Sequence, residues 1–385
     1  MQQHYDYIIS GSGCAGLSLL HRMLMYPFFS NKKILLIDKA QKHVNDRTWC
    51  YWEMRPGWFE EIVHHRWKQI DIYSNEFSAR YDLLPYEYKM IRGIDLYNYV
   101  LNKAVQNKNI TIVYEEVQSI HSNETTATVT TNNNEYLADY VFNSILLNNW
   151  QQQALQQKKI FVLSQHFKGW LIETKKDIFN DQVATFMDFR VDQIKGTAFV
   201  YALPVSKKQA LVEYTLFSEN ILEQEEYDAA LEAYIHKYLA IKKFTVQHSE
   251  WGIIPMTNYN FPKGENRIIN IGTAGGQTKG SSGYTFQFIQ KHAEKIVDAL
   301  IHEKDPLNVQ TIFEKRFRTY DGILLNVLKN KKMSGDKLFT QLFQKNAPQS
   351  VLKFLDNETN IKEELKIMNS VSLTAFLPAA LKQIF

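Results

Sequence analysis

Three glycines near the start of the chain have the spacing of a phosphate-binding turn. Gly11, Gly13 and Gly16 lie between an apolar run that ends at Ser10 and an apolar-periodic segment that begins at Cys14. This context predicts a strand, a tight turn and a helix. The first glycine permits the turn, the second lets a pyrophosphate approach the backbone, and the third lets the helix pack against the strand. Free N–H groups and the positive end of the helix dipole would then stabilise the bound dinucleotide.

An acidic residue follows at the distance that a dinucleotide site needs. Asp38 ends a second apolar run, 22 residues after Gly16, and a carboxylate there can accept hydrogen bonds from an adenosine ribose. Cys14 and Ala15, inside the loop, and Lys39, next to Asp38, are further candidate cofactor-binding residues. Cys14 is either a reactive thiol at a helix N-terminus or a small packing residue, and we favour packing.

A second glycine-rich stretch, residues 272–284, favours FAD over NAD as the dinucleotide. The stretch lies between a predicted strand and a predicted helix. In flavoproteins the chain commonly comes back to the cofactor at this point, so that the backbone and the following helix face the ribityl chain and the flavin ring. We therefore predict FAD, with Gly272, Thr273, Gly283 and Tyr284 near it. A helix N-terminus there favours the anionic reduced flavin.

Composition and charge limit the class of protein. A chain of 385 residues can bury a large core in two or three units. A net charge of +3 argues against nucleic-acid binding, and no spacing of His and Cys residues suggests a metal site. The two cysteines, Cys14 and Cys50, cannot form a disulfide framework. With no secretory leader pattern and no apolar run of about 18 residues, we expect a cytoplasmic protein without a spanning helix.

The apolar pattern predicts an α/β fold with a discontinuous nucleotide-binding domain. A strand, helix and strand open the chain, and short strands follow at residues 111–118 and 126–131. Aromatic-rich alternating runs at residues 183–189, 197–203 and 210–217 predict an antiparallel sheet of α+β type. The predicted regions are a Rossmann-type dinucleotide-binding domain of residues 1–60, 93–160 and 262–305, a substrate-binding domain of residues 61–92 and 161–261, and a helical C-terminal region of residues 306–385.

Seven short motifs resemble the bacterial lycopene cyclase family in their order and spacing. They are residues 46–52 (DRTWCYW), 165–170 (QHFKGW), 187–190 (MDFR), 201–204 (YALP), 211–215 (LVEYT), 254–258 (IPMTN) and 272–286. The resemblance covers roughly residues 5–300. It implies a flavin fold of glutathione-reductase-like type and reduced FAD as a cofactor without net redox change. It also implies NAD(P)H as the electron source and conversion of the acyclic ends of lycopene into β-rings.

The resemblance assigns a candidate catalytic acid. Ring formation begins when a proton adds to a terminal double bond of lycopene, and the resulting carbocation is attacked by the neighbouring double bond. Glu213, expected on a strand and pointing inward, is the candidate proton donor, because burial in an apolar pocket keeps a carboxyl group protonated. Without the resemblance, Glu213 reads as a surface residue on a strand edge. Plant cyclases carry two adjacent glutamates here, whereas Tyr214 follows Glu213, so only the first acid carries over.

Three other positions have open or ordinary interpretations. Thr273 stands where many flavoproteins of this fold carry aspartate, so the ribityl contact must differ. Arg47 pairs either with a flavin phosphate, with Asp188 or with its neighbour Asp46. His166, beside aromatic residues, is expected to be a satisfied core residue.

The substrate implied by the resemblance suggests membrane contact. Lycopene is effectively insoluble in water, so the protein must draw it from a bilayer, and we expect peripheral association with the inner membrane. Two C-terminal stripes are candidates for an interfacial segment, with the alternative that these helices pack against the body of the protein. They are Leu338, Leu342 and Phe343, and Leu373, Phe376, Leu377, Leu381 and Phe385, with Lys331, Lys332, Lys337 and Lys382 nearby.

Two other functions fit the same sequence features. One is an FAD-dependent monooxygenase or prenyl reductase on the same fold, which would consume NAD(P)H with net redox change. The other is a carotenoid-binding or membrane-recruited scaffold in which FAD is structural.

Overall fold

The computed structural model describes residues 3–147, 149–309 and 313–384. Within them the chain forms eighteen strands and ten α-helices. The strands are β1 (Gln3–Ser10), β2 (Ile34–Asp38), β3 (Thr48–Glu53), β4 (His65–Trp67), β5 (Gln69–Tyr73), β6 (Ser78–Asp82), β7 (Glu87–Arg92), β8 (Ile110–Tyr114), β9 (Val117–Ser122), β10 (Ala127–Thr131), β11 (Glu135–Asn143), β12 (Val162–Glu173), β13 (Val183–Asp188), β14 (Thr197–Pro204), β15 (Gln209–Ser218), β16 (Thr245–Thr257), β17 (Gly264–Glu265) and β18 (Ile268–Asn270). The helices are α1 (Cys14–Leu24), α2 (Gly93–Ala104), α3 (Trp150–Leu155), α4 (Gln224–Lys237), α5 (Phe286–Ile301), α6 (Phe313–Lys329), α7 (Gly335–Lys345), α8 (Pro348–Leu355), α9 (Ile361–Asn369) and α10 (Leu373–Ile384).

An eight-stranded sheet carries the glycine loop. Strands β18, β11, β1, β2 and β8 lie side by side and run parallel. The sequence of β2, Ile34–Asp38, is buried throughout, as expected for a parallel strand covered on both faces. Helices α1, α2 and α5 pack on one face of this sheet. The carboxyl ends of parallel strands meet at one edge, so the loops after β1, β2 and β18 lie near one another.

A seven-stranded sheet forms the second layer, in the order β16, β12, β15, β14, β13, β5 and β6. All neighbours are antiparallel except β13 and β5, which are parallel. Alternate residues of β15 face opposite sides. Val212, Tyr214 and Leu216 pack against α4, whereas Leu211 and Phe217 pack in the largest core cluster, which also contains residues of α6 to α10.

A small sheet of β3, β7 and β4 lies outside the two large sheets. Strand β3 falls in the predicted dinucleotide-binding region, and β4 and β7 fall in the predicted substrate-binding region. A boundary at residue 60 therefore cuts through this sheet, and the division into regions stays a prediction.

The C-terminal region is helical from α6 to α10, as the sequence predicts. Helix α7 buries Leu338, Leu342 and Phe343 in the largest core cluster. These residues are core rather than an interfacial stripe, because α7 packs against strands β5 and β14. No helix in the described part of the chain is long and apolar enough to cross a membrane.

Candidate active site

A cavity of about 620 Å³ joins the two large sheets. From the first sheet it is lined by loop residues that follow parallel strands, including Gly13, Lys39 and Thr273. From the second sheet it is lined by side chains of β14, β15 and β16, including Leu203 and Glu213. Ten of the thirteen site residues predicted from the sequence line this cavity. They are Gly13, Cys14, Ala15, Lys39, Arg47, Glu213, Gly272, Thr273, Gly283 and Tyr284.

The glycine loop forms an open cradle at the start of α1. Gly13 is the N-cap of α1 and offers no side chain to the free N–H groups of the first turn. A Cβ built on Gly13 would meet nothing within 4 Å, so the space beside this backbone is open. By contrast, a Cβ on Gly16 would overlap the carbonyl oxygen of Gly11. Gly13 therefore leaves room for an anion, while Gly11 and Gly16, which do not line the cavity, allow the loop and helix to pack.

Asp38 holds the glycine loop in this structure. Its Oδ2 accepts hydrogen bonds from the backbone N–H and hydroxyl of Ser12, at 2.7 and 2.6 Å, and Oδ1 accepts from the N–H of Ala40 at 3.3 Å. Asp38 does not line the cavity, and its contact to a ribose stays a prediction. Cys14 is buried, and burial raises the pKa of its thiol to about 12, which favours the packing role over a reactive thiolate.

Cationic side chains also lie on the side of the cavity that the glycine loop forms, and they favour the binding of an anion there. Lys39, Lys42 and Arg47 all line the cavity. Arg47 does not pair with Asp188, whose carboxylate accepts bonds from Arg190 and Tyr234 instead. An open backbone cradle with three nearby cations fits the pyrophosphate of a dinucleotide.

The second glycine stretch closes the cavity from the other side. Gly272 and Gly283 have φ values of +62° and +72°, a region that favours glycine. A Cβ on Gly283 would overlap Oε1 of Gln165 on β12, so this glycine lets the loop approach the second sheet. The side chain of Thr273 lies 3.1 Å from the hydroxyl of Thr278.

Two carboxyl groups lie in the cavity on either side of one glycine. Glu213 on β15 and Glu250 on β16 both pair with Gly169 of β12, the strand between them. Their Cα atoms are roughly 10 Å apart, twice the strand spacing, and their side chains share one face. A Cβ on Gly169 would lie 3.3 Å from Cγ of Glu250 and 3.5 Å from Cβ of Glu213. Glycine at this position therefore leaves room for both carboxyl groups.

The two carboxyl groups have unequal surroundings. Burial raises the pKa of Glu213 well above the usual range, and the charge of Glu250 raises it further. Burial and the charge of Asp46 raise the pKa of Glu250 as well, but the hydroxyl of Thr48, which donates a bond of 2.8 Å, and the charge of Arg47 oppose the rise. Glu213 is therefore the more readily protonated group, and Glu250 the more readily ionised one.

Aromatic residues surround the carboxyl pair. The hydroxyl of Tyr284 lies 3.4 Å from the hydroxyls of both Tyr88 and Tyr201. Trp52 packs edge to face on the ring of Tyr284 at 4.5 Å between centroids. Phe186 stacks on the same ring at 6.4 Å. Of these residues, Tyr88, Tyr201 and Tyr284 line the cavity, and Trp52 and Phe186 support them by packing on Tyr284.

Two residues differ from the ten predicted ones that line the cavity: His166 lies outside it, and Glu250 lines it but was not predicted. His166 is buried between the hydroxyls of Tyr227 and Ser218, at 2.5 and 2.7 Å, which makes it a satisfied core residue. Glu250 was missed by the sequence reasoning. The available signal was a glutamate four residues before the motif at residues 254–258, but its importance depends on strand register. Among the described residues, no cluster of His, Cys, Asp or Glu could hold a metal ion.

Solved structures show the same fold across the whole chain. A geranylgeranyl bacteriochlorophyll reductase-like protein from Thermoplasma acidophilum is similar with a TM-score of 0.63 and 12% identity, covering 100% of this chain and 99% of its own. A flavoprotein/dehydrogenase from Cytophaga hutchinsonii has a TM-score of 0.63 and 11% identity, with 99% of each chain covered. The p-nitrophenol 4-monooxygenase of Pseudomonas putida has a TM-score of 0.61 and 13% identity, covering 99% of this chain and 98% of its own. The fold is thus a mixed α/β fold similar to that of flavin-dependent enzymes.

Sequence comparison identifies the family. A lycopene β-cyclase from Pantoea ananas is 26% identical over 235 residues, which is 57% of this chain and 54% of that protein. The match thus spans about half the length of this curated relative. The lycopene cyclase protein family matches residues 6–381. A match over nearly the whole chain, in a fold with the cavity described above, shows that this protein belongs to the lycopene cyclase protein family.

Proposed function

We propose that this protein is a lycopene β-cyclase. It is an isomerase that converts the acyclic ends of lycopene into β-ionone rings, first giving γ-carotene and then β-carotene. The observation that carries the proposal is the pair of carboxyl groups, Glu213 and Glu250, enclosed by aromatic rings in one cavity with the glycine loop. Family membership supports the same substrate class.

FAD, in its reduced form, is the proposed cofactor, in a domain of glutathione-reductase-like type. The cradle at Gly13 and the cations Lys39 and Arg47 would hold the pyrophosphate, and the stretch from Gly272 to Tyr284 would lie along the ribityl chain and the ring. When bound, the reduced flavin would supply negative charge beside a developing carbocation. NAD(P)H is proposed as the electron source from the family resemblance.

The chain itself would supply the proton and the shelter. Glu213, kept protonated by burial, would donate its proton to the terminal double bond of the substrate. The rings of Tyr88, Tyr201 and Tyr284 would face the cation that forms, since π faces stabilise positive charge. The same rings would exclude water, which would otherwise trap the cation as an alcohol.

A membrane surface is the proposed source of the substrate, with the protein located in the cytoplasm at the inner membrane. Three large apolar residues that line the cavity are also exposed. They are Leu146, Trp251 and Ile253. Apolar surface beside the opening of a cavity is suited to contact with lipid.

Expression in a lycopene-accumulating bacterial host tests the proposal. We expect loss of lycopene and appearance of γ-carotene and β-carotene. Glu213→Gln should abolish both products while retaining FAD, since the amide keeps the shape but cannot donate the proton. Glu173→Gln, at the far end of β12, is the matched control and should cyclise normally. Ring products from Glu213→Gln at the level of the unaltered protein would remove Glu213 from the mechanism.

A redox measurement separates cyclisation from the alternative reaction. The fold also occurs in a reductase-like protein and a monooxygenase. If this protein were a monooxygenase or prenyl reductase, it would consume NAD(P)H in proportion to product. We expect ring closure by pre-reduced protein without oxygen and without stoichiometric NAD(P)H loss. Turnover by strictly oxidised protein would contradict the need for reduced flavin, and hydroxylated or hydrogenated product would favour the monooxygenase or reductase reaction.

A further inference from the structure

We propose that Glu250 is the proton acceptor that completes ring closure, acting as a carboxylate opposite the proton donor Glu213. The inference rests on the proposed function and names a second residue of the same site. Its basis is strand register: β12 places Gly169 between the two glutamates, so that no side chain of β12 separates them, and Leu211 is the other side chain beside this glycine.

Two contacts of Glu250 favour its ionised form. Its Oε2 accepts a hydrogen bond of 2.8 Å from the hydroxyl of Thr48, and Arg47 places positive charge nearby. In the described part of the chain, no cation is among the groups that shift the pKa of Glu213, and its carboxylate accepts a bond from Thr215 at 2.8 Å. Two carboxyl groups whose environments differ in this way divide into an acid and a base.

The proposed sequence balances in protons and electrons. Glu213 gives a proton to one terminal double bond, and the neighbouring double bond forms the new carbon–carbon bond to the cationic carbon. The ring cation then loses a proton to Glu250, and this loss forms the double bond of the ring. The substrate has gained and lost one proton, and no electrons have been transferred. The proton returns from Glu250 to Glu213 before the next ring closes.

The active pair therefore carries one proton, and the rate should fall on both sides of an optimum. At high pH Glu213 loses its proton, and at low pH Glu250 gains one. The groups that face the two glutamates influence the pKa values that set the two limbs of the pH profile. They are Cys50, Tyr201 and Tyr284 near Glu213, and Arg47, Asp46 and Thr48 near Glu250.

Variants of Glu250 and Thr48 in the FAD-loaded protein test the assignment. Glu250→Gln should lower kcat by about 100-fold or more, as expected for loss of a general base, with lycopene and FAD still bound. Glu250→Asp should retain part of the activity. Thr48→Val removes the bond that favours the ionised form, so the acidic limb of the pH profile should move to higher pH. An unchanged rate in Glu250→Gln, or an unmoved acidic limb in Thr48→Val, would overturn the assignment.

An infrared titration separates failure of this inference from failure of the proposed function. In protein without substrate, the carboxyl band of Glu213, identified by its loss in Glu213→Gln, should titrate at lower pH in Glu250→Gln, because the like charge is gone. A titration at lower pH would support an interaction between Glu213 and Glu250 even if lycopene were not the substrate. An identical titration in the two proteins would show that the groups do not interact and would refute the inference.

Discussion

At the scale of single residues, the glycines of the first loop have separate tasks. Gly13 borders open space in the cavity, whereas Gly16 contacts the backbone of Gly11. A side chain introduced at Gly13 would therefore occupy the space of a ligand, whereas one introduced at Gly16 would collide with the protein itself.

Substitutions at these two glycines should separate binding from folding. Gly13→Val should fold normally but lose FAD, because its side chain occupies the pyrophosphate space. Gly16→Ala should lower the free energy of unfolding by roughly 1–3 kcal/mol, the usual cost of overpacking. Flavin absorbance and thermal unfolding measure the two effects. A Gly13→Val protein with full flavin absorbance would show that the loop is wrongly assigned.

The raised pKa of Glu213 predicts a pH-dependent stability. Since burial raises this pKa, the folded protein keeps a proton that the unfolded chain releases near pH 4.3. The stabilisation of the folded state by this proton is fully present below that pH. It is lost as the pH rises through the pKa of Glu213 in the folded protein. Glu213→Gln should therefore be more stable than the unaltered protein at pH 9, by on the order of 1–2 kcal/mol. Denaturant unfolding at pH 5 and pH 9 checks this, and a less stable variant at pH 9 would contradict it.

At the scale of elements, β12 organises the catalytic end of the cavity. It pairs with β15 on one side and β16 on the other, and its glycine keeps the space between two carboxyl groups open. The alternation along β15 places Glu213 toward the cavity and its neighbours Val212 and Tyr214 toward α4.

A small side chain in that gap should impair the chemistry without disrupting the fold. Gly169→Ala places a methyl group 3.3 Å from Glu250 and 3.2 Å from Leu211, so these two side chains must shift by a few tenths of an ångström. We expect cyclisation to slow by on the order of 10–100-fold, with normal FAD content and circular dichroism. If Gly169→Ala cyclises at the full rate, the spacing of the pair is not critical.

At the scale of the whole molecule, the last helix has an unusual orientation. Helix α10 packs against α6 with Ala375 and Ala379 buried, while Leu373, Leu377 and Leu381 are 52–59% exposed. Two alanines thus face the protein and three leucines face outward, whereas Phe376 of the same predicted stripe is partly buried against the core. Phe385, at the end of the predicted stripe, lies outside the described residues. The outward leucines make α10 a better candidate for lipid contact than α7.

Liposome flotation tests the role of α10. We expect the protein to float with liposomes that contain anionic lipid. Replacing Leu373, Leu377 and Leu381 together with serine should reduce the floating fraction at least tenfold, since each leucine that enters lipid contributes about 1.5–3 kcal/mol. Leu155→Ser, at another exposed leucine, is the control. Equal flotation of the triple variant and the unaltered protein would exclude α10 as the contact.

The sequence by itself determined the parts of this protein that depend on local patterns. The strand, glycine loop and helix from Gln3 to Leu24 follow from apolar periodicity and turn chemistry, which act over a few residues. The antiparallel runs β13, β14 and β15 were predicted to within one or two residues for the same reason. The segment at residues 111–118, predicted as one strand, is the end of β8 and the start of β9, because its two halves pair with different strands.

Only the tertiary structure decided which distant residues meet. Glu250 became a site residue because β12 pairs with both β15 and β16, a register that no local pattern encodes. The same holds for the apolar residues of α7 and α10, which look alike in sequence although Leu338, Leu342 and Phe343 are core and Leu373, Leu377 and Leu381 are exposed. Burial depends on which neighbours cover a face, and those neighbours come from distant parts of the chain.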